Sequence, residues 1–131
     1  MISMNYPAIV VAALAGIAIG FVWFMDPVFG RTWKKLVGIR DNDKPHPAVF
    51  VIWAGACFLM AYTVNRVLTL RLTGFSMDEA ILYALMLGLG IFVAGALPNY
   101  AFAKKPPMQV FIEMGNVVLS LMVMAAIIAA W

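Results

Sequence analysis

Four polar side chains recur along one otherwise apolar segment near the carboxyl end of the sequence. They stand at steps of four, three and four residues and are Gln109, Glu113, Asn116 and Ser120. At about 100° per residue, these steps bring all four side chains onto one stripe of an α-helix. A carboxylate is costly in an apolar environment, so the stripe is expected to face protein or water rather than lipid. Glu113 is therefore the leading candidate for chemistry.

Two roles for Glu113 follow from its type and position. As a structural residue it would bind neighbouring helices together through hydrogen bonds, and as a functional residue it would bind a ligand or handle protons. Polar residues at the ends of the other apolar segments are expected on the same side of the protein, in one cluster with Glu113. They are Asp26, His46, Asn99 and Tyr100.

Other groupings that could do chemistry are missing from the sequence. Cys57 is the single cysteine and His46 the single histidine, which excludes a zinc cluster and a bis-histidine haem site within one chain. The ten methionines are scattered, as is typical of apolar packing. We therefore predict no catalytic residue, no metal site and no cofactor. An enzyme that uses Glu113 or His46 as acid or base on a lipid is the weakest alternative.

The composition points to lipid as the solvent. Of 131 residues, 65% are apolar and only 11% are charged, and the mean hydropathy is +0.97. Soluble proteins have about 25% charged residues, so this chain has more apolar surface than a soluble fold of its length can enclose. The net charge of +3 does not indicate nucleic-acid binding, because the basic residues stand between the apolar segments.

Four apolar segments are long enough to cross a bilayer as helices, since about 20 residues span the hydrocarbon layer. We predict the helices at about 7–25, 47–66, 77–97 and 107–130. Ser76 and Glu79 have capping-box spacing at the third helix, and Pro98 is expected to stop or kink it. The expected fold is all-α, a four-helix membrane bundle forming one domain over residues 1–131. No Lys or Arg precedes the first helix, so we expect it to be retained rather than removed as a secretion signal.

The orientation of the bundle follows from its basic residues. Seven of the nine Lys and Arg residues lie in the first and third loops, and two, Arg66 and Arg71, lie on the other side. Because loops rich in Lys and Arg stay in the cytoplasm, both termini are predicted to lie outside it.

The first loop carries its own helical pattern over about 28–37. Phe29 and Trp33 recur at helical spacing, while Lys34 and Lys35 point elsewhere. This pattern predicts a short amphipathic helix in the membrane surface, anchored by these four residues, with the tryptophan at the head-group level. The alternative is a plain solvated loop.

Small residues recur every fourth position on two of the helices, apart from a last interval of seven. They are Ala8, Ala12, Gly16 and Gly20 on the first helix and Ala80, Ala84, Gly88 and Gly95 on the third. Such faces allow helix backbones to approach closely, here either within the bundle or between subunits. The alternative is that Ala and Gly are simply common in membrane helices.

With these residues in view, the chain resembles a family of small bacterial membrane proteins known only as a domain of unknown function. The resemblance covers nearly the whole length and implies a four-helix bundle in the bacterial inner membrane, without any activity. Glu113 departs from the pattern of that family. The residues that carry the resemblance are Asn5, Tyr6, Gly20, Trp23, Phe24, Phe29, Gly30, Trp33, Asn99, Tyr100, Phe102, Asn116 and Trp131.

Two functions compete on these observations. The first is a structural or accessory membrane protein, either a homo-oligomer or a subunit bound to other membrane proteins, with the lipid bilayer as its other partner and no nucleic acid. The second is a carrier of a small solute or ion, with a polar pocket on the cytoplasmic side of the fourth helix. Ser120 is the last polar residue of the stripe, and apolar residues such as Met124 follow it, which favours a pocket over a channel.

Overall fold

The computed structural model describes residues 4–40, 43–70 and 74–131. All regular secondary structure in these three ranges is helical, with no strand, which confirms the predicted all-α fold. Four helical stretches are long and apolar enough to cross a bilayer, and the chain is a membrane protein. These spans are Tyr6–Trp23, Pro47–Thr69, Met77–Phe102 and Pro107–Ala130.

The described residues form six α-helices and two short π-helical segments. The first π segment, Asp26–Gly30, lies in the first loop, and the second, Leu87–Val93, joins α4 to α5 within the third span. The α-helices are α1 (Tyr6–Trp23), α2 (Arg31–Val37), α3 (Pro47–Thr69), α4 (Met77–Met86), α5 (Ala94–Phe102) and α6 (Pro107–Ala130).

Local side-chain hydrogen bonds fix where three helices begin. The Asn5 side chain accepts from the Ala8 amide at the start of α1, and His46 Nδ1 accepts from the Ala48 amide at the start of α3, both at 3.1 Å. At α4 the capping box is present, with Glu79 N–H bonded to Ser76 Oγ and the Ser76 N–H bonded to Glu79 Oε2. These caps satisfy amide groups that a helix leaves without partners in its first turn.

Pro98 does not end the third helix at Leu97 as predicted. The helix continues to Phe102, with Pro98 inside it. Ending a helix in lipid would leave several carbonyl groups without donors, whereas an internal proline removes only one backbone hydrogen bond. The helix ends where Lys104 adopts a left-handed φ of 57° and the Lys105 amide bonds back to the Tyr100 carbonyl. Similarly, α3 extends to Thr69, beyond the predicted end at residue 66.

The first loop is a turn followed by a short helix rather than one helix over 28–37. The π segment folds back on the end of α1, and Gly30 is buried against the Phe24 carbonyl group. Only a glycine fits there, because an added Cβ would overlap that backbone oxygen. α2 then runs to Val37 and stops at Gly38, which has a left-handed φ of 81°.

The core lies where α6 packs against α1, α3 and α4. Six of the eight small residues named above are fully or nearly fully buried there, and Gly16 lies directly against the Met124 side chain of α6. The others are Gly20, which is buried against the Trp53 ring, and Gly95, which is exposed with open space around it. Close approach at Gly95 therefore does not occur within the described part of the chain.

The ends of the spans group into two sides. Met4 lies near Arg66 and Thr69, so the start of α1 is beside the end of α3. At the other end of the bundle, Trp23 of α1 donates a hydrogen bond to the Ile112 carbonyl of α6. Arg71, used above to predict orientation, lies outside the described residues.

Candidate functional site

The carboxylate of Glu113 is the meeting point of three helices. Its Oε1 accepts hydrogen bonds from Trp33 Nε1 of α2 at 3.0 Å and from Gln109 Nε2 of α6 at 3.2 Å. Its Oε2 accepts a hydrogen bond from the Tyr100 hydroxyl of α5. We call these four residues the Glu113 cluster. It ties α2 and the third span to the fourth.

Each donor reaches Glu113 for a different structural reason. Gln109 lies one helical turn before Glu113 and therefore on the same face. Trp33 is delivered by the π segment, which turns the chain back so that α2 packs against α6. Tyr100 lies on a helix that faces Glu113 because α5 continues past Pro98. Since α5 has no buried residue of its own, the Tyr100 hydrogen bond is a main contact between α5 and α6.

The donors that surround Glu113 are all uncharged. No lysine or arginine in the described ranges forms an ion pair with it, although Lys105 lines the same cavity. An ionised carboxylate only accepts hydrogen bonds and has about four acceptor positions, so an indole, a phenol and an amide suit it well. Glu113 is partly buried and Gln109 almost fully buried, at 4% exposure. The cluster is thus satisfied without a counter-ion.

A cavity of about 400 Å³ opens beside this cluster. Its lining residues come from the end of α5, the following turn and the start of α6, and are Asn99, Tyr100, Ala103, Lys105, Gln109 and Glu113. A carboxylate, an ammonium group and two amides therefore face one space. Among the described residues, no three His, Cys, Asp or Glu side chains are grouped as a metal site would require.

Aromatic rings frame the cluster on the side of the first loop. The Trp23 ring packs on Phe29 with centroids 4.6 Å apart, and Phe29 meets Phe111 of α6 edge-on at 6.2 Å. Trp33 meets Phe24 edge-on at 5.1 Å. Gly115 gives the Trp23 ring room, because an added Cβ would stand 3.0 Å from that ring. The loop is therefore held against the bundle by apolar packing as well as by hydrogen bonds.

Two of the residues predicted to join Glu113 have other partners. Asp26 pairs with Lys34 at 3.0 Å, and His46 caps α3. Neither lines the Glu113 cavity. The structure thus brings Asn99 and Tyr100 to Glu113. Asp26 and His46 have local roles instead, because each lies at a helix end where a neighbouring side chain or backbone group is a closer partner.

The deeper half of the polar stripe is enclosed by protein. Ser120 is buried, and the Oδ1 atom of Asn116 is buried without a hydrogen-bond partner among the described residues. The Oδ1 atom of Asn65 in α3 likewise has no hydrogen-bond partner among the described residues, and Asn65 is only 1% exposed. Asn65 was not predicted to be buried, because it stands beside Arg66 at the predicted end of the second span. The signal available was helical spacing from Ala61 and Leu68, with which Asn65 shares the buried face.

Two contacts of the site were not predicted at all. Trp33 was assigned to the membrane surface together with Phe29, Lys34 and Lys35, yet its indole N–H is bonded to Glu113. Trp23 is bonded to the Ile112 carbonyl at 2.7 Å, next to Glu113 in the chain. Local periodicity cannot reveal either bond, because the partners lie 80 and 89 residues apart.

Comparison with known proteins identifies a family to which most of the chain is similar. Residues 7–129 match a family described as a protein of unknown function, DUF1761. No curated protein and no solved structure matches the chain.

Proposed function

Because this chain belongs to the protein family of unknown function DUF1761, which has no activity to transfer, we propose its function from its geometry. We propose a structural or accessory protein of the bacterial inner membrane that assembles with itself or with other membrane subunits. In this role the hydrogen bonds of the Glu113 cluster hold the first loop and the third span against the fourth.

The observation that carries this proposal is that donors of its own chain occupy three of the roughly four acceptor positions of the Glu113 carboxylate. Trp33, Tyr100 and Gln109 all donate to it, so little of the carboxylate is left for a substrate. A residue that exchanges protons or ligands in a carrier needs access instead. The internal hydrogen bonds of Glu113 therefore favour a structural role.

The packing beyond the cluster supports the same reading. Further along α6, Leu121, Met124 and Ile128 are buried in the apolar core. Such a dry interior offers an ion no hydration or polar contacts, and crossing it would be very costly. Within one chain, the polar stripe therefore ends in packed side chains.

The test compares the wild type with Glu113→Gln after reconstitution into proteoliposomes with an internal pH dye. We expect no proton-coupled flux from either protein and the same native mass in mild detergent, because glutamine keeps a hydrogen-bonding oxygen. Asp26→Asn, at an exposed ion pair on the same side, is the matched control. Flux by the wild type that Glu113→Gln abolishes and Asp26→Asn preserves would contradict the structural role.

One observation favours a second candidate, a carrier of a small solute or ion. The 400 Å³ cavity presents Glu113 and Lys105 together, which suits a small ligand with both charges. One chain cannot enclose a path, so a carrier would be assembled from several subunits. The flux measurement above separates a proton-coupled carrier of this kind from the structural protein.

For orientation we propose that the first and third loops lie in the cytoplasm and both termini outside. In a Cys57→Ala background, Lys35→Cys should react with a membrane-impermeant maleimide only after the cells are opened. Gly74→Cys, at an exposed position with open space on the opposite side, should react in intact cells. The reverse pattern would overturn this orientation.

A further inference from the structure

A second cavity, of about 580 Å³, lies between α1 and α3 at the end of the bundle where Glu113 is found. We call it the α1–α3 groove. It does not include Glu113, although Trp33, which donates to Glu113, is one of its lining residues, so the groove adjoins the Glu113 cluster. Its volume is within the range of roughly 300–1,000 Å³ that is typical of small-ligand sites.

Aromatic rings build the walls of this groove. The Trp53 ring of α3 packs directly on Gly20 of α1 and meets Phe21 edge-on, with centroids 5.0 Å apart. The groove is also open toward the side of the bundle that lipid would cover, because Val49 and Phe50 are 50% and 45% exposed. An apolar chain can therefore enter it sideways from the bilayer.

The rim of the groove carries charges of both signs. Lys34 is already paired with Asp26 at 3.0 Å. Asp43 uses Oδ2 to accept the Arg40 amide, and its Oδ1 makes no hydrogen bond within the described residues. Lys44 forms no ion pair within the described residues. Among the described residues that line the groove, the groups left for a ligand are thus one carboxylate oxygen and one ammonium group on neighbouring residues.

We propose that the α1–α3 groove binds one phospholipid with a primary-amine head group, of the ethanolamine type. Its phosphate is held by Lys44 and its ammonium group by Asp43, while the glycerol and the first part of an acyl chain lie between the aromatic rings. A zwitterion matches the one positive and one negative group that the described part of the rim leaves unpaired. A purely anionic head group would meet the Asp43 carboxylate, and a choline group has no N–H to donate to it.

The test measures bound lipid on the full-length protein by native mass spectrometry. Delipidated protein in mild detergent is given ethanolamine, choline or glycerol phospholipids with identical acyl chains. We expect one tightly bound ethanolamine lipid per chain, held about tenfold more tightly than the choline lipid, as the loss of a charge-assisted hydrogen bond predicts. Equal retention of the three lipids, or preference for the anionic glycerol lipid, would overturn the proposal.

Variants test the rim and the walls separately. Lys44→Gln should weaken ethanolamine-lipid retention about tenfold. Lys35→Gln, an exposed lysine on α2 that does not line the groove, should leave retention unchanged. Val49→Trp should block the bound chain, whereas Val51→Trp, at a 72% exposed position of the same helix outside the groove, should not. Unchanged retention in both Lys44→Gln and Val49→Trp would exclude this site.

Discussion

Glu113→Ala is expected to lower the free energy of unfolding by about 3 kcal/mol. The substitution leaves the Trp33 indole, the Tyr100 hydroxyl and the Gln109 amide without their acceptor. Each buried donor left unsatisfied costs about 1–3 kcal/mol, and the lower end applies here because Glu113 is only partly buried. The measurement is unfolding in mixed micelles with increasing SDS, followed by circular dichroism.

The matched control is Asp26→Ala, which also removes a carboxylate from this end of the bundle. Its ion pair with Lys34 is largely exposed, so the loss should stay below about 1 kcal/mol. The loss of stability in Glu113→Gln should fall between these two values. Glutamine keeps one acceptor oxygen, but its amide N–H group is a donor that faces other donors. Equal stability of Glu113→Ala and Asp26→Ala would show that the Glu113 cluster does not hold the bundle together.

Gly30→Ala is expected to destabilise the protein by about 2 kcal/mol and to detach the first loop. An added Cβ would overlap the Phe24 carbonyl oxygen, and backbone atoms cannot move aside as a flexible side chain can. Forced overpacking of this kind costs about 1–3 kcal/mol. The π segment would have to open, and Trp33 would move away from Glu113. The same SDS titration measures the stability.

Gly90→Ala is the control for this substitution. Gly90 is an exposed residue of the second π segment with open space where a Cβ would stand, so its change should stay within about 1 kcal/mol. The double variant Gly30→Ala with Glu113→Ala adds a sharper measurement. If both substitutions break the Trp33–Glu113 bond, their effects should fall short of additivity by about 0.5–3 kcal/mol. Strict additivity would mean that Gly30 does not position Trp33.

Local chemistry in the sequence accounts for the four spans and for contacts between residues within one helical turn. The four apolar segments predict four helices because lipid cannot hydrate a peptide group, so each segment must satisfy its own backbone. The Ser76–Glu79 spacing predicts the observed capping box, since its partners lie within one turn. The steps between Gln109 and Glu113 likewise predict that they share a face, and their side chains are in fact bonded.

Tertiary packing decided which residues meet. Asp26 and Asn99 both lie at helix ends, yet only Asn99 lines the Glu113 cavity, because Asp26 has Lys34 as a nearer partner. Pro98 was expected to stop or kink its helix, and it does not stop it, because the cost of unsatisfied carbonyl groups in lipid exceeds the cost of one missing bond. Gly95 continues a small-residue pattern and still lies exposed, because no helix of the described chain covers that face.

The apolar segments and their order along the chain could thus be predicted from the sequence, because hydropathy and capping depend on neighbours within a few residues. The Trp33–Glu113 bond was not, because it joins residues 80 positions apart through a glycine turn that folds α2 back onto α6. A residue's distant partners depend on how whole helices dock. The docking of α2 onto α6 brings Trp33, which was predicted to lie in the membrane surface, into hydrogen-bonding distance of the Glu113 carboxylate.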